Sequence, residues 1–115
     1  MADQFPSSIA GRIDADEVRI GRGVVVEDGV LIAGKGGRAR LVELGDFTYI
    51  GRDTRVLVPE FRVGDYTKIH AGTFAHGSEP LRIGRNGWIG GNVVLDSMGG
   101  LDIADGVGIG AQSQL

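Results

Sequence analysis

Two histidines are the side chains of this sequence best suited to acid–base chemistry, because the pKa of imidazole lies near neutral pH. They are His70 and His76, and an imidazole at either position could move a proton or bind a metal ion. Glu79 and Asp96 are carboxylates that could orient such a histidine or bind a hydroxyl, or could simply be solvated at corners of the chain. The sequence therefore offers two candidate sites of proton transfer, and the elements that position them must be worked out next.

The composition excludes several other kinds of site and partner. The chain has no cysteine, which excludes a disulfide framework and a thiolate metal site and is typical of a reducing compartment. Its formal net charge is -3, without the clustered Lys and Arg that nucleic acid or an anionic membrane attracts. No apolar run approaches the ~18 residues of a membrane span, and the first residues lack the basic and apolar regions of a signal peptide. We therefore expect a cytoplasmic protein that binds no nucleic acid and does not insert into a membrane.

Glycine is the most unusual feature of the composition. It accounts for 21 of 115 residues, against an average near ~7%, and it occurs together with abundant Val, Ile and Leu. This combination predicts many short strands joined by tight corners. A helix is nearly excluded, because no segment holds a 3.6-residue period without an interrupting glycine.

Apolar residues recur at every sixth position, and a small or branched residue stands four places after each of them. We call the first of each six the lead residue. Three such hexads form one triangular coil in which lead residues point inward and stack on the next coil. Equivalent lead residues are 19 or 20 residues apart at positions 44, 63, 83 and 103, so each coil has one or two extra corner residues. The pattern predicts an all-β fold, a parallel β-helix of about five coils with strands ~4.8 Å apart, in a single domain over 1–115. The lead residues are Ile20, Val26, Ile32, Leu44, Ile50, Val56, Val63, Ile69, Ala75, Ile83, Ile89, Leu95, Ile103, Ile109 and Leu115.

Both ends of the chain depart from the hexads. Residues 1–17 precede the first clear hexad, and we expect them to cap the N-terminal end, with Phe5 and Ile9 covering the first coil. Leu115 is a lead residue that nothing follows. A solenoid that stops there exposes a strand edge and the end of its apolar column. We therefore expect either that further C-terminal coils are missing or that a partner covers this end.

A third departure is an insertion at a corner, residues 33–41. Its basic residues Lys35, Arg38 and Arg40 could hold a phosphate, or could form only a solvated turn.

Residues 83–95 and 103–113 carry a recognisable pattern. They read IGRNGWIGGNVVL and IADGVGIGAQS, a coil with Trp before its second Ile-Gly and then a coil ending in Ile-Gly-Ala-x-Ser. Over residues 18–115 the chain resembles the hexapeptide-repeat acyltransferases, and most closely their sugar and xenobiotic O-acetyltransferase branch. The resemblance implies a left-handed β-helix, a hand that the period alone does not give.

The same resemblance implies an activity and a site. The activity is acyl transfer from acetyl-CoA, or another acyl-CoA, to a hydroxyl or amine of a sugar or other small acceptor, in a homotrimer with sites between solenoids. A histidine would act as general base: His76, His70, or one beyond Leu115. Trp88 is expected to project outward at a groove or interface. The implied cofactor-binding residues are Trp88, Gly110, Ala111 and Ser113, and no metal is expected.

Two other functions remain open. A γ-class carbonic anhydrase-like protein would need three histidines across a subunit interface to bind zinc, with one position open for water. Here His70 and His76 have five residues between them and no third histidine is present. The other alternative is a non-catalytic or truncated solenoid that serves as a scaffold.

Overall fold

A computed structural model of the protein describes residues 4–115, which form sixteen short β-strands and no helix. Most strands have two or three residues, because a tight corner interrupts the chain after every lead residue. In chain order the strands are β1 (Ser8–Ile9), β2 (Arg12–Ile13), β3 (Ala15–Ile20), β4 (Val25–Val26), β5 (Leu31–Ala33), β6 (Ala39–Leu44), β7 (Tyr49–Ile50), β8 (Arg55–Leu57), β9 (Glu60–Val63), β10 (Lys68–Ile69), β11 (Phe74–His76), β12 (Leu81–Ile83), β13 (Trp88–Ile89), β14 (Val94–Asp96), β15 (Leu101–Ile103) and β16 (Gly108–Ile109).

The strands assemble into three parallel sheets that form the sides of a solenoid. Sheet A has the order β1-β4-β7-β10-β13-β16, sheet B has the order β2-β5-β8-β11-β14, and sheet C has the order β3-β6-β9-β12-β15. The chain visits A, B and C in turn, and each strand pairs in parallel with the strand one coil away. This confirms the predicted all-β parallel β-helix of about five coils. In the part of the chain that the structure describes, there is no helix long and apolar enough to span a bilayer.

The lead residues form the apolar column inside the solenoid. Ile50, Ile69 and Ile89 are register partners on consecutive coils of sheet A, and each is at most 1% exposed. The column is well sealed in the middle coils and less so at Ile103 and Ile109, which are both 8% exposed. From Val26 to Ile109 the period of six therefore identified buried residues, whereas Ile20 is only partly buried and Leu115 is 54% exposed. Each buried lead residue is stabilised mainly by its neighbours one coil above and below.

Buried threonines at the fifth hexad position connect consecutive coils. The Thr67 hydroxyl donates to the carbonyl of Gly84 at 2.6 Å and accepts the N–H of Gly87 at 3.0 Å. Thr73 makes the equivalent pair of hydrogen bonds one corner later. A β-branched side chain fits inside the corner, and its hydroxyl satisfies backbone groups of the equivalent corner one coil later, which would otherwise be buried without a partner.

The fourth hexad position takes a positive φ at most corners. Glycine, Asp and Asn, which tolerate that conformation, occupy most of these positions. Phe47 and Tyr66 are exceptions, with φ of 58° and 64°. Their rings stack with centroids 5.5 Å apart, and the Phe5 ring packs edge-on against Phe47 at 5.2 Å. The stacked aromatic rings line one edge of the solenoid between sheets C and A.

The N-terminal segment contributes strands to the solenoid. Residues 8–20 contain β1, β2 and β3, which pair with β4, β5 and β6 and so form the first coil. Ile9 lies in β1, at the end of sheet A, and is 41% exposed. The first residues of the expected cap, 1–3, lie outside the described residues.

Only the middle of the expected insertion 33–41 leaves the strands. Ala33 ends β5, and β6 begins at Ala39, which is buried. Between them, Gly34 and Gly37 form an isolated antiparallel bridge that closes the loop.

Candidate functional site

Three side chains lie around His70 on the outer surface of sheet A, and together with it they form what we call the His70 cluster: Tyr49, Lys68, His70 and Trp88. Lys68 is the register partner of both Tyr49 and Trp88. All three precede an inward-facing lead residue, so their side chains face outward, because neighbouring positions of a strand alternate. The His70 ring lies 5.9 Å from the Tyr49 ring and 4.9 Å from the Trp88 ring, centroid to centroid. The imidazole is therefore flanked by aromatic rings from the coils on either side.

One nitrogen of His70 is in an unusual state. Its Nε2 atom is shielded from solvent and has no hydrogen-bond partner among residues 4–115. A polar atom buried without a partner costs roughly 1–3 kcal/mol, a cost that a ligand can remove by donating a hydrogen bond. The lone pair of this nitrogen is therefore unused, and it can accept a proton from a bound molecule once a neighbouring side chain moves aside.

The row of residues above and below His70 carries no side chains. Gly51 and Gly90 take the equivalent position on the neighbouring coils, each directly after its lead residue. A Cβ at either glycine would lie 2.5 Å from the backbone nitrogen of Ala71 or Ala111. Glycine is therefore required by the close approach of the next coil, and the row stays bare on both sides of the imidazole.

A groove opens beside the His70 cluster towards the N-terminal coils. Its volume is about 430 Å³. Val25, Phe47 and Tyr49 supply apolar walls, and Lys68 and His70 supply polar groups. A mostly apolar cleft with a few convergent polar groups is the common form of a small-molecule site.

The expected cofactor-binding residues lie partly next to this cluster. Trp88 projects outward, with 49% of its surface exposed, and its register partner on the next coil is Gly108. Gly110 continues the bare row of Gly90 and is exposed, as is Ala111. Ser113 lies past the following corner, where its carbonyl accepts the N–H of Val94 in sheet B. The structure thus places Trp88 and Gly110 on the same face as His70, and Ser113 on the next face.

His76 lies on sheet B and is not brought together with His70. Its ring stacks on Phe74, with centroids 4.9 Å apart and planes 14° apart. Asp96 is its register partner one coil away, but the Asp96 carboxylate accepts the backbone N–H of Met98 at 2.9 Å. Glu79 is exposed on the following corner. The two histidines therefore occupy separate faces, and each has a different set of neighbours.

No three His, Cys, Asp or Glu side chains within residues 4–115 are grouped so that they could hold a metal ion.

The basic residues of the insertion 33–41 are separated from one another in the structure. Lys35 and Arg38 line a cavity of about 330 Å³, and Arg38 pairs with Asp16 at 3.4 Å. Arg40 instead pairs with Glu60 on the outer surface of sheet C.

Tyr49 and Lys68 were not predicted as site residues, although the sequence carries a signal for them. Positions 49, 68 and 88 each precede a lead residue and are separated by 19 and 20 residues, the length of one coil. Vertical alignment of the hexads would have placed these two side chains beside Trp88.

Comparisons with known proteins were made at three levels. No protein-family model, no curated protein and no solved structure matches this sequence.

Proposed function

We propose that the protein is an acyltransferase that transfers an acetyl or other acyl group from coenzyme A to a hydroxyl or amine of a sugar or other small acceptor. The observation that carries the proposal is the Nε2 atom of His70, shielded and without a partner in a groove with aromatic walls. A general base needs a nitrogen that is free to take a proton, and His70 offers one. We therefore assign the base to His70 and keep His76 as the second candidate.

In the proposed reaction, Nε2 of His70 accepts the proton of the acceptor hydroxyl or amine. The acceptor oxygen or nitrogen then attacks the carbonyl carbon of the thioester, and a new C–O or C–N bond forms. Collapse of the tetrahedral intermediate breaks the C–S bond, and the coenzyme A sulfur takes the proton back from the imidazolium. Imidazole suits both steps because it gains and loses a proton near neutral pH.

The neighbours of His70 have distinct roles in this proposal. Tyr49 and Trp88 flank the imidazole and limit its rotation. The bare row of Gly90 and Gly110 leaves a track along which the pantetheine arm can lie close to the backbone. Trp88 is half exposed, as expected for an aromatic side chain at a ligand groove or at the interface of the proposed homotrimer.

The assay is release of the coenzyme A thiol from acetyl-CoA in the presence of a panel of sugar and amine acceptors. His70→Gln is expected to lower the rate by about 10²–10⁴-fold, the usual contribution of a general base. His76→Gln is the matched control and is expected to keep most of the activity. A loss of activity in His76→Gln alone would indicate that His76, on sheet B, is the general base.

Binding is measured separately, because a transferase must bind its acyl donor even without an acceptor. Acetyl-CoA is expected to raise the Tm of the wild-type protein and of His70→Gln, since a ligand of the native state stabilises it by mass action. An unchanged Tm together with no transfer to any acceptor would contradict the proposal. Metal analysis and sedimentation then address the remaining alternatives, a zinc-dependent anhydrase-like protein and a non-catalytic scaffold.

A further inference from the structure

The most unusual charged group of the protein lies on sheet C, away from both histidines. The Glu60 side chain is only 3% exposed, and three arginines from three consecutive coils surround its carboxylate. Arg40 contacts Oε1, the Arg62 Nε lies 3.1 Å from Oε2, and an Arg82 terminal nitrogen lies 3.5 Å from Oε2. We call these four residues the arginine cluster.

The carboxylate cannot engage all the donors that surround it. Three guanidinium groups carry about fifteen N–H donors, whereas a carboxylate has about four acceptor sites. The Arg62 Nε illustrates the excess, because it is close to Glu60 but is not aligned for a hydrogen bond. The side chains of Arg40, Arg62 and Arg82 are 69%, 41% and 52% exposed, so their remaining donors are accessible from solvent.

The charges of the arginine cluster do not cancel. Three guanidinium groups and one carboxylate leave a net of two positive charges. Asp102 reaches Arg82 only at 3.9 Å and is 74% exposed, a geometry in which an ion pair contributes little.

Two other carboxylates of this face, Glu17 and Glu43, share Arg19, and Glu43 is also the register partner of Arg62. Glu17 contacts Arg19 at 2.5 Å, and Glu43 contacts Arg19 at 3.5 Å. The hydrogen bond from Arg19 to Glu17, and then the charge of Glu17, raise the pKa of the Arg19 guanidinium. Counted over the whole face, Glu43 and Asp102 therefore offset much of this charge, and what remains available to a ligand is the set of unused N–H donors of the three arginines.

We propose that the arginine cluster binds a phosphate group, either free phosphate or the phosphate of a small phosphorylated molecule. A phosphate monoester carries a charge of about -1.5 to -2 at pH 7 and three strong acceptor oxygens, which can engage the unused N–H donors of the cluster. Guanidinium groups bind phosphate oxygens with paired, charge-assisted hydrogen bonds. Glu60 acts as the template that holds three mutually repelling guanidinium groups close together before the ligand arrives.

The surroundings of Arg82 indicate what the phosphate is attached to. Arg82 lines a cavity of about 200 Å³ together with Glu79, Pro80, Leu101 and Asp102. The two carboxylates disfavour a second anionic group and can accept hydrogen bonds from hydroxyls. A phosphorylated polyol therefore fits this corner better than a second phosphate would, and the site is separate from the His70 cluster on sheet A.

The test is titration of the wild-type protein with inorganic phosphate and with glycerol phosphate, at constant ionic strength maintained with chloride, and measured by calorimetry. Both probes are expected to bind, and the tighter one identifies the source of the phosphate. Arg82→Gln is expected to raise the Kd by roughly tenfold or more, as expected for loss of a charge-assisted hydrogen bond. Arg12→Gln is the matched control, because Arg12 is an exposed arginine paired with Asp14 on sheet B.

A second measurement uses the wild-type protein and therefore does not depend on whether a variant folds. In wild-type protein labelled with ¹⁵N, the Nε–H signal of Arg62 is expected to shift on addition of phosphate, whereas that of Arg12 stays in place. Arg82→Lys keeps the charge but loses the paired donors, so its Kd is expected to lie between those of the wild type and Arg82→Gln. Binding no stronger than that of chloride, or an equal Kd in Arg82→Gln, would overturn the proposal.

Discussion

Replacement of Thr67 by Val tests the idea that buried hydroxyls connect the coils. Valine has nearly the same shape as threonine, so the apolar packing of this fully buried position is preserved. The substitution removes the hydrogen bond donated to the Gly84 carbonyl at 2.6 Å and the one accepted from the Gly87 N–H at 3.0 Å. It therefore isolates the polar contribution of one corner.

The magnitude follows from the groups that lose their partner. A buried donor or acceptor left unsatisfied costs about 1–3 kcal/mol, and the hydroxyl of Thr67 serves one of each. The methyl group of valine offsets a part of this, so we expect a loss of about 2–3 kcal/mol in the free energy of unfolding. For a chain of this size, that corresponds to a decrease in Tm of roughly 10 °C.

The assay is thermal unfolding followed by circular dichroism, with Thr54→Val as the matched control. The Thr54 hydroxyl makes a single, longer hydrogen bond, to the His70 carbonyl at 3.3 Å. Its replacement is expected to cost less than about 1 kcal/mol, the typical net value of one hydrogen bond. The reasoning is refuted if Thr67→Val is as stable as the wild type, or if the two variants lose the same amount.

Two further predictions concern the backbone and the apolar column. Gly108→Ala is expected to stabilise the protein by about 0.4–1 kcal/mol, whereas Gly106→Ala, at a φ of 73°, is expected to destabilise it by about 1 kcal/mol. A Cβ would meet no atom within 4 Å at either site, so the two variants differ in backbone conformation and not in steric contact. Equal midpoints of urea unfolding would contradict the role of φ. Ile69→Ala is expected to lower the free energy of unfolding by about 2–5 kcal/mol. Val107→Ala is expected to lower it less, because Val107 is only partly buried in the last coil. If denaturant unfolding gives the reverse order, the apolar column does not determine the stability.

The fold was predictable because every coil repeats the same physical constraint. An inward position that faces neighbours above and below must be apolar, and it recurs six residues later on the next side. Ile50, Ile69 and Ile89 illustrate this, since each is buried against its register partners. The N-terminal segment was harder to assign, because β1 and β2 are the terminal strands of sheets A and B among residues 4–115 and Ile9 is 41% exposed. Apolar residues at its inward-facing positions are therefore less strictly required.

The two candidate sites were less predictable, because outward-facing positions need not be apolar and so show no period in the sequence. Trp88 was recognised as outward-facing, but its contact with His70 depends on which residues share a row. Arg40 and Arg82 are 42 residues apart in the chain, and no local pattern connects them. Their meeting at Glu60 requires the register of three coils, which the inserted residues before β6 obscure in the sequence.

From position 20 onward, coil length varies at the corner between sheets B and C, and that corner adjoins the arginine cluster. Lead residues of sheets C and A, and of sheets A and B, are always six residues apart from position 20 onward. Between sheets B and C the spacing is variable: twelve residues for 32–44, seven for 56–63, and eight for 75–83 and 95–103. Extra residues at this corner do not disturb the register of sheet A, because each following coil restarts at its own sheet C strand. The corner can therefore change length and composition beside the arginine cluster while the His70 cluster on sheet A keeps its geometry.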